Sequence, residues 1–191
     1  RASLRFCQYS SRYDNFRRGI VENAFKPELS NGALMDIGVY CVRMMTELFG
    51  LPEQVMAHGI FLENGVDGAG TILGIYPGMD AELSYSKITD GRLGCEIQGE
   101  DGTLVFDGVS RPGRVRLIRR DGREEILFEE DESWNLEYEI RKFVSWMESG
   151  DCEAPDYLRA LQMSDAEMKV LDEARKQMGI VFPEDRNPLF E

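Results

Sequence analysis

The chain has 191 residues, 42% hydrophobic, 30% charged and 10% aromatic, a composition that supports one packed domain and excludes long disordered stretches. A net charge of -13 works against nucleic acid and anionic membrane surfaces, since both need clustered Lys and Arg. The four cysteines (Cys7, Cys41, Cys95, Cys152) form no CxxC pair and only one histidine is present, so zinc spacing is missing and reduced thiols in a cytoplasmic protein are expected.

The sequence opens at Arg1 in what reads as mid-strand, Leu4-Arg5-Phe6-Cys7-Gln8-Tyr9, as expected of a piece of a longer protein. Next comes a polar, aromatic stretch, Tyr9-Ser10-Ser11-Arg12-Tyr13-Asp14. It reads equally as the wall of a sugar-like pocket, with Arg12 and Tyr13 as substrate-binding residues, or as a surface loop with Arg12 paired to Asp14. After Pro27 and a Ser30/Asn31 cap, the pattern predicts a helix from about Gly32 to Phe49, closed by Gly50 and Pro52. Its expected buried stripe is Leu34, Ile37, Cys41, Met44 or Met45, and Leu48.

The pattern then switches to period two. Ala81, Leu83 and Tyr85 alternate with Glu82, Ser84 and Ser86; Cys95 and Ile97 alternate with Glu96 and Gln98. Asp121-Gly122 marks a hairpin. The region predicts about six to eight strands joined by short turns, hence antiparallel neighbours. Apolar residues at both parities in Val55–Leu62 and Thr71–Tyr76 suit either a buried central strand or a second dry sheet face. Gly68-Ala69-Gly70-Thr71-Ile72-Leu73-Gly74 is one residue too long for a dinucleotide fingerprint and reads as a hairpin turn entering a strand. His58 reads as a structural or surface residue, and the arginines from Arg111 to Arg123 as hairpin partners of nearby Glu and Asp.

A second helix is expected from Ser133, with Leu136, Ile140, Phe143, Val144 and Met147 on one face, ending at Gly150. A third runs from Pro155 to Gly179 with Leu161, Met168, Leu171 and Met178, and Ile180-Val181-Phe182 reads as a short added strand. Together these predict an α+β domain: a mostly antiparallel open sheet with helices on one face.

The chemistry-bearing residues fall on the first helix. Asp36, Tyr40, Arg43 and Glu47 stand at i, i+4, i+7 and i+11. A carboxylate and a phenol one turn apart can enter one cleft, where a nearby cation fits the phenol for proton transfer; the same stripe also suits a solvated helix face. Gly38 between them leaves room for close approach.

The segment from Ser30 to Tyr40, Ser-Asn-Gly-Ala-Leu-Met-Asp-Ile-Gly-Val-Tyr, resembles the signature helix of the glucose–fructose oxidoreductase, inositol dehydrogenase and dihydrodiol dehydrogenase (Gfo/Idh/MocA) family. The likeness continues through Ile97-Gln98-Gly99-Glu100-Asp101-Gly102-Thr103-Leu104 and Gly179-Ile180-Val181-Phe182-Pro183, always as that family's C-terminal domain. The resemblance implies that residues 1–191 form the C-terminal substrate-binding and oligomerisation domain of an NAD(P)-dependent oxidoreductase, with a small-molecule sugar, polyol or related hydroxy or carbonyl substrate. Asp36 and Tyr40 are the implied catalytic pair: Asp36 orients substrate hydroxyls, and Tyr40, where many relatives carry His, handles the proton. Arg43 is placed with Arg12 and Tyr13 among the substrate-binding residues. NAD or NADP and a catalytic lysine would come from an N-terminal Rossmann domain outside this chain, leaving the chain alone inactive. A homo-oligomer through the open sheet face is expected. The alternative is a non-catalytic binding or assembly module of the same fold.

Overall fold

A computed structural model describes residues 1–130 and 136–186. An eight-stranded open sheet forms its base: β1 (Ala2–Cys7), β2 (Gln54–Phe61), β3 (Asp67–Tyr76), β4 (Met79–Ser86), β5 (Cys95–Gln98), β6 (Gly102–Phe106), β7 (Arg114–Arg119) and β8 (Glu124–Glu129). Their order is β2-β3-β4-β1-β5-β6-β7-β8. Every pairing is antiparallel except β1 with β4, which run parallel from Ala2 opposite Ala81 to Cys7 opposite Ser86. The short-turn rule misses this pair, because β1 is separated from β4 by the long crossover that parallel strands require. That crossover carries the helical segments α1 (Tyr13–Arg17) and α2 (Val39–Phe49) and then the β2–β3 hairpin.

Alternation decides which strand residues go inside. Ala81, Leu83 and Tyr85 are buried on one face of β4, beside Ala2 and Leu4 of β1 and Ile72 of β3. Against that face lie α2 and the second half of α4 (Pro155–Met178), which supplies Ala166, Val170, Leu171 and Ala174. Leu161 and Met168, expected to point inward, are exposed. On the inner face of α4, Ala166 and Ala174 flank Val170 and Leu171, and Leu161 and Met168 fall off that buried stripe. The Gln177 side chain accepts from Ala57 N (2.9 Å) and donates to Val55 O (2.7 Å), satisfying backbone groups on the edge strand β2.

The glycines of the Gly68–Gly74 stretch lie inside β3 rather than in a turn; residues 62–66 make the connection. Packing explains them. A Cβ on Gly70 would sit 2.2 Å from Tyr85 Oη, and one on Gly74 would sit 2.7 Å from Met45 Sδ. The Asp121-Gly122 hairpin forms as expected, with Gly122 at φ +85°, and its arginines pair Arg114–Glu129, Arg116–Glu124 and Arg119–Glu125. His58 is exposed on β2.

The helix α3 (Glu137–Ser149) ends at Gly150 as expected, whereas its expected start at Ser133 lies outside the described residues. Its apolar stripe of Ile140, Phe143, Val144 and Met147 is exposed, and α3 meets α4 through Trp146, whose indole N–H donates to Asp156 (3.1 Å) and whose ring stands edge-on to Tyr157. Residues 180–182 form no strand; a 3-10 turn at Pro183–Arg186 follows them, where Arg175 lies over the Phe182 ring. No helix among the described residues is long and apolar enough to cross a membrane.

Filling the space at Gly70 tests this packing. Gly70→Ala should cost about 1–3 kcal/mol in urea unfolding through its collision with Tyr85; an unchanged midpoint would show that β3 and Tyr85 separate freely.

Candidate active site

The helix carrying the candidate residues starts differently from the sequence reading. Residues Leu34–Gly38 form a π-helical turn before α2. Such turns are rare and cluster at functional sites. This wider turn shifts the helical phase, so the buried stripe becomes Leu34, Gly38, Cys41, Val42 and Met45 instead of one through Ile37 and Leu48. Gly38 packs closely: a Cβ there would lie 3.1 Å from the Tyr85 ring, tight enough that the ring would have to give way.

Neither Ser30 nor Asn31 caps the helix; Asn31 donates to Asn23 O instead. The cap comes from β3, where buried Asp67 accepts the Leu34 N–H through Oδ2 at 2.6 Å. Gly32 leaves room for that carboxylate, since a Cβ would come within 1.9 Å of Asp67 Oδ1. Burial pushes the Asp67 carboxyl above its ordinary range, and the Leu34 amide and Lys87 charge pull it back only in part.

The outward face of this helix carries Asp36 and Tyr40, both about half exposed. Asp36 lines a cleft of about 570 Å3 together with Arg12, Glu22, Asn23, Ala24 and Asn31. The fold thus brings Asp36 and Arg12 together, although 24 positions separate them. Arg12 pairs with Glu22 at 3.7 Å rather than with Asp14. Tyr40 stands one helical turn beyond Asp36, its ring 5.5 Å from Phe6 near the end of β1. Tyr13 sits in α1, stacked on Phe16, tilted against Phe25 and edge-on to Tyr9, packed on a small second core of Phe16, Phe25 and Val66. Arg43 bonds Glu47 (3.3 Å) and Glu167 of α4 (3.5 Å), so its guanidinium ties two helices.

Sequence reasoning missed Lys87. Its side chain is 4% exposed, and its ammonium lies 2.7 Å from Asp36 Oδ2, 3.0 Å from the Ala24 carbonyl and 4.8 Å from the centre of the Phe25 ring. A buried lysine demands such partners, because an unpaired ammonium in apolar surroundings is costly. The signal available in the sequence was its place: one residue beyond the polar–apolar alternation of β4.

Residues 5–105 match the GFO/IDH/MocA C-terminal domain. The chain belongs to this family. It is 48% identical over 186 residues to the scyllo-inositol 2-dehydrogenase (NADP(+)) IolU of Bacillus subtilis strain 168, covering 97% of this chain and 56% of that relative. It is 36% identical to the oxidoreductase YgjR of Escherichia coli K12, over 94% of this chain and 54% of that protein. Among solved structures, a 3-ketoreductase from Actinomadura kijaniata, held with TDP-benzene and NADP, superposes with a TM-score of 0.64 at 20% identity, over 93% of this chain and 52% of that one. The chain spans about half the length of the curated relatives it matches.

Asp67 offers a titration test. Because its folded-state carboxyl is raised, ionisation penalises the folded state as pH climbs from the carboxylate range, and the penalty vanishes in acid where both states are protonated. Asp67→Asn keeps an acceptor for Leu34, so its stability relative to the parent should improve from acidic to neutral pH. The opposite slope would mean that Lys87 stabilises the ionised carboxylate more than burial penalises it.

Proposed function

We propose that this chain is the C-terminal, substrate-binding half of an NAD(P)-dependent oxidoreductase that acts on a sugar, polyol or related hydroxy or carbonyl compound. The observation that carries this reading is the placement of Asp36 and Arg12 on one cleft, with buried Lys87 paired to Asp36 and Tyr40 one turn away. Membership of a family whose named relatives include an inositol dehydrogenase supports it.

The cleft's chemistry favours a neutral, hydroxyl-rich compound. Two carboxylates, Glu22 and Asp36, and two amides, Asn23 and Asn31, face one guanidinium already engaged by Glu22. Lys87 in turn engages Asp36, so these charges pair among themselves and the lining offers no unengaged cation to a phosphate or carboxylate, whereas hydroxyls donate well to carboxylates. Asp36 is the acceptor that orients a substrate hydroxyl, and Arg12 donates to a second oxygen. The Tyr40 hydroxyl exchanges the proton at the reacting oxygen. Tyr13 supports the wall behind Arg12, and Arg43 holds α2 against α4.

A nicotinamide dinucleotide needs a glycine-rich turn opening a helix for its pyrophosphate. The glycines of residues 68–74 do not fit that role, for they lie in β3 against Tyr85 and Met45. The nucleotide therefore belongs to a separate N-terminal domain of the same protein, and this chain alone is inactive. The protein is cytoplasmic, in keeping with its free thiols. A second copy covers the open sheet face, where Met56 and Ile60 of β2 are exposed and Met56 stands opposite Leu73.

In the full-length protein, Tyr40→Phe should lower kcat by about a hundredfold, the scale of a lost proton-transfer group. Unchanged turnover at saturating substrate, with chemistry rate-limiting, would remove Tyr40 from the role.

A further inference from the structure

Resting on the reading above, we propose that Lys87 is the positioning residue of the site: its ammonium holds Asp36 Oδ2 so that Oδ1 faces the cleft as the acceptor for a substrate hydroxyl.

Lys87 is itself held by its main chain. Its N–H donates to Gly68 O of β3, and its carbonyl accepts Ser10 N beyond the end of β1, both at 2.8 Å. These bonds carry the sheet ladder one residue past β4 on both sides. The following turn is braced by Ser86 Oγ, which accepts from Ile88 N and Thr89 N. The side chain then runs under the Phe25 ring, where the Ala24 carbonyl takes one of its protons. Few rotamers remain for a lysine fixed at its backbone, its stem and its tip. Asp36, by contrast, stands half exposed on a helix, with the Lys87 ion pair as the fixed point for its carboxylate among the described residues. Order flows from the buried lysine to the exposed aspartate. A preorganised acceptor loses less entropy on binding than one that must be immobilised by the substrate.

The test uses the full-length protein with a nicotinamide cofactor and a neutral cyclic polyol, comparing Lys87→Met, Asp36→Asn and the double variant. Lys87→Met should raise KM and lower kcat/KM by about tenfold or more, since small misplacements of an orienting group carry such penalties. The double variant should fall within about twofold of the worse single one, because both remove one interaction. Wild-type kcat/KM in Lys87→Met would overturn the proposal, as would effects that simply multiply in the double variant, the mark of a structural role. Should Lys87→Met not fold, Lys87→Arg decides: it keeps the charge but displaces the carboxylate, so kcat/KM should fall while the melting temperature holds, and full activity would refute positioning. If Asp36→Asn is itself silent, the functional reading fails; if Asp36→Asn is impaired and Lys87→Met is not, only this inference fails.

Discussion

Everything at the site depends on the parallel ladder between β1 and β4. It is the one parallel pairing in the sheet, and it sets the C-terminal ends of two strands side by side, Cys7 of β1 opposite Ser86 of β4. Arg12 follows the end of β1, Lys87 follows the end of β4, and the bond from Ser10 N to Lys87 O ties those exits together. The crossover that parallel pairing demands lays α2 over the strands and delivers Asp36 and Tyr40 above the same ends. Crevices beyond the carboxyl ends of parallel strands are a recurrent place for ligands. Here a single such pair lies within an otherwise antiparallel sheet.

Around that edge, charge is placed where its desolvation is met by specific partners. Lys87 and Asp67 are both buried, on either side of the helix start: Asp67 takes the Leu34 amide, and Lys87 meets Asp36 and the Ala24 carbonyl. Burial acts in the same sense on Tyr85, whose phenol it pushes far above the ordinary range. That ring stays neutral and acts as a packing pillar between Gly38 and Gly70. The two tyrosines thus divide the work. Tyr85 is sealed in the core, and Tyr40 stands about half exposed at the surface.

Much of this was legible in the sequence. Period-two alternation placed Ala81, Leu83 and Tyr85 inside, Asp121-Gly122 fixed a hairpin, and Gly150 and Gly179 ended helices where expected. The family and the C-terminal domain followed from the segment around Asp36 and Tyr40. What escaped was non-local. A helix cap donated by Asp67 from 33 residues away has no neighbouring signature, so the cap was assigned to Ser30 and Asn31. The π-helical turn moved the buried stripe off Ile37 and Leu48, because a fixed period cannot anticipate an inserted residue. Glycines within β3 resembled a turn, since their cause is Tyr85 and Met45 on other elements. Lys87 looked like the end of a strand until the fold buried it beneath Phe25 and beside Asp36.

The central claim is that substrate binds at the Asp36–Tyr40 face of the cleft. A crystal structure of the full-length protein with nicotinamide cofactor and a neutral cyclic polyol tests it most directly. The account predicts one substrate hydroxyl within hydrogen-bond distance of Asp36 Oδ1 and another oxygen within reach of Tyr40 Oη. A polyol bound elsewhere, with Asp36 and Tyr40 facing only solvent, would contradict it.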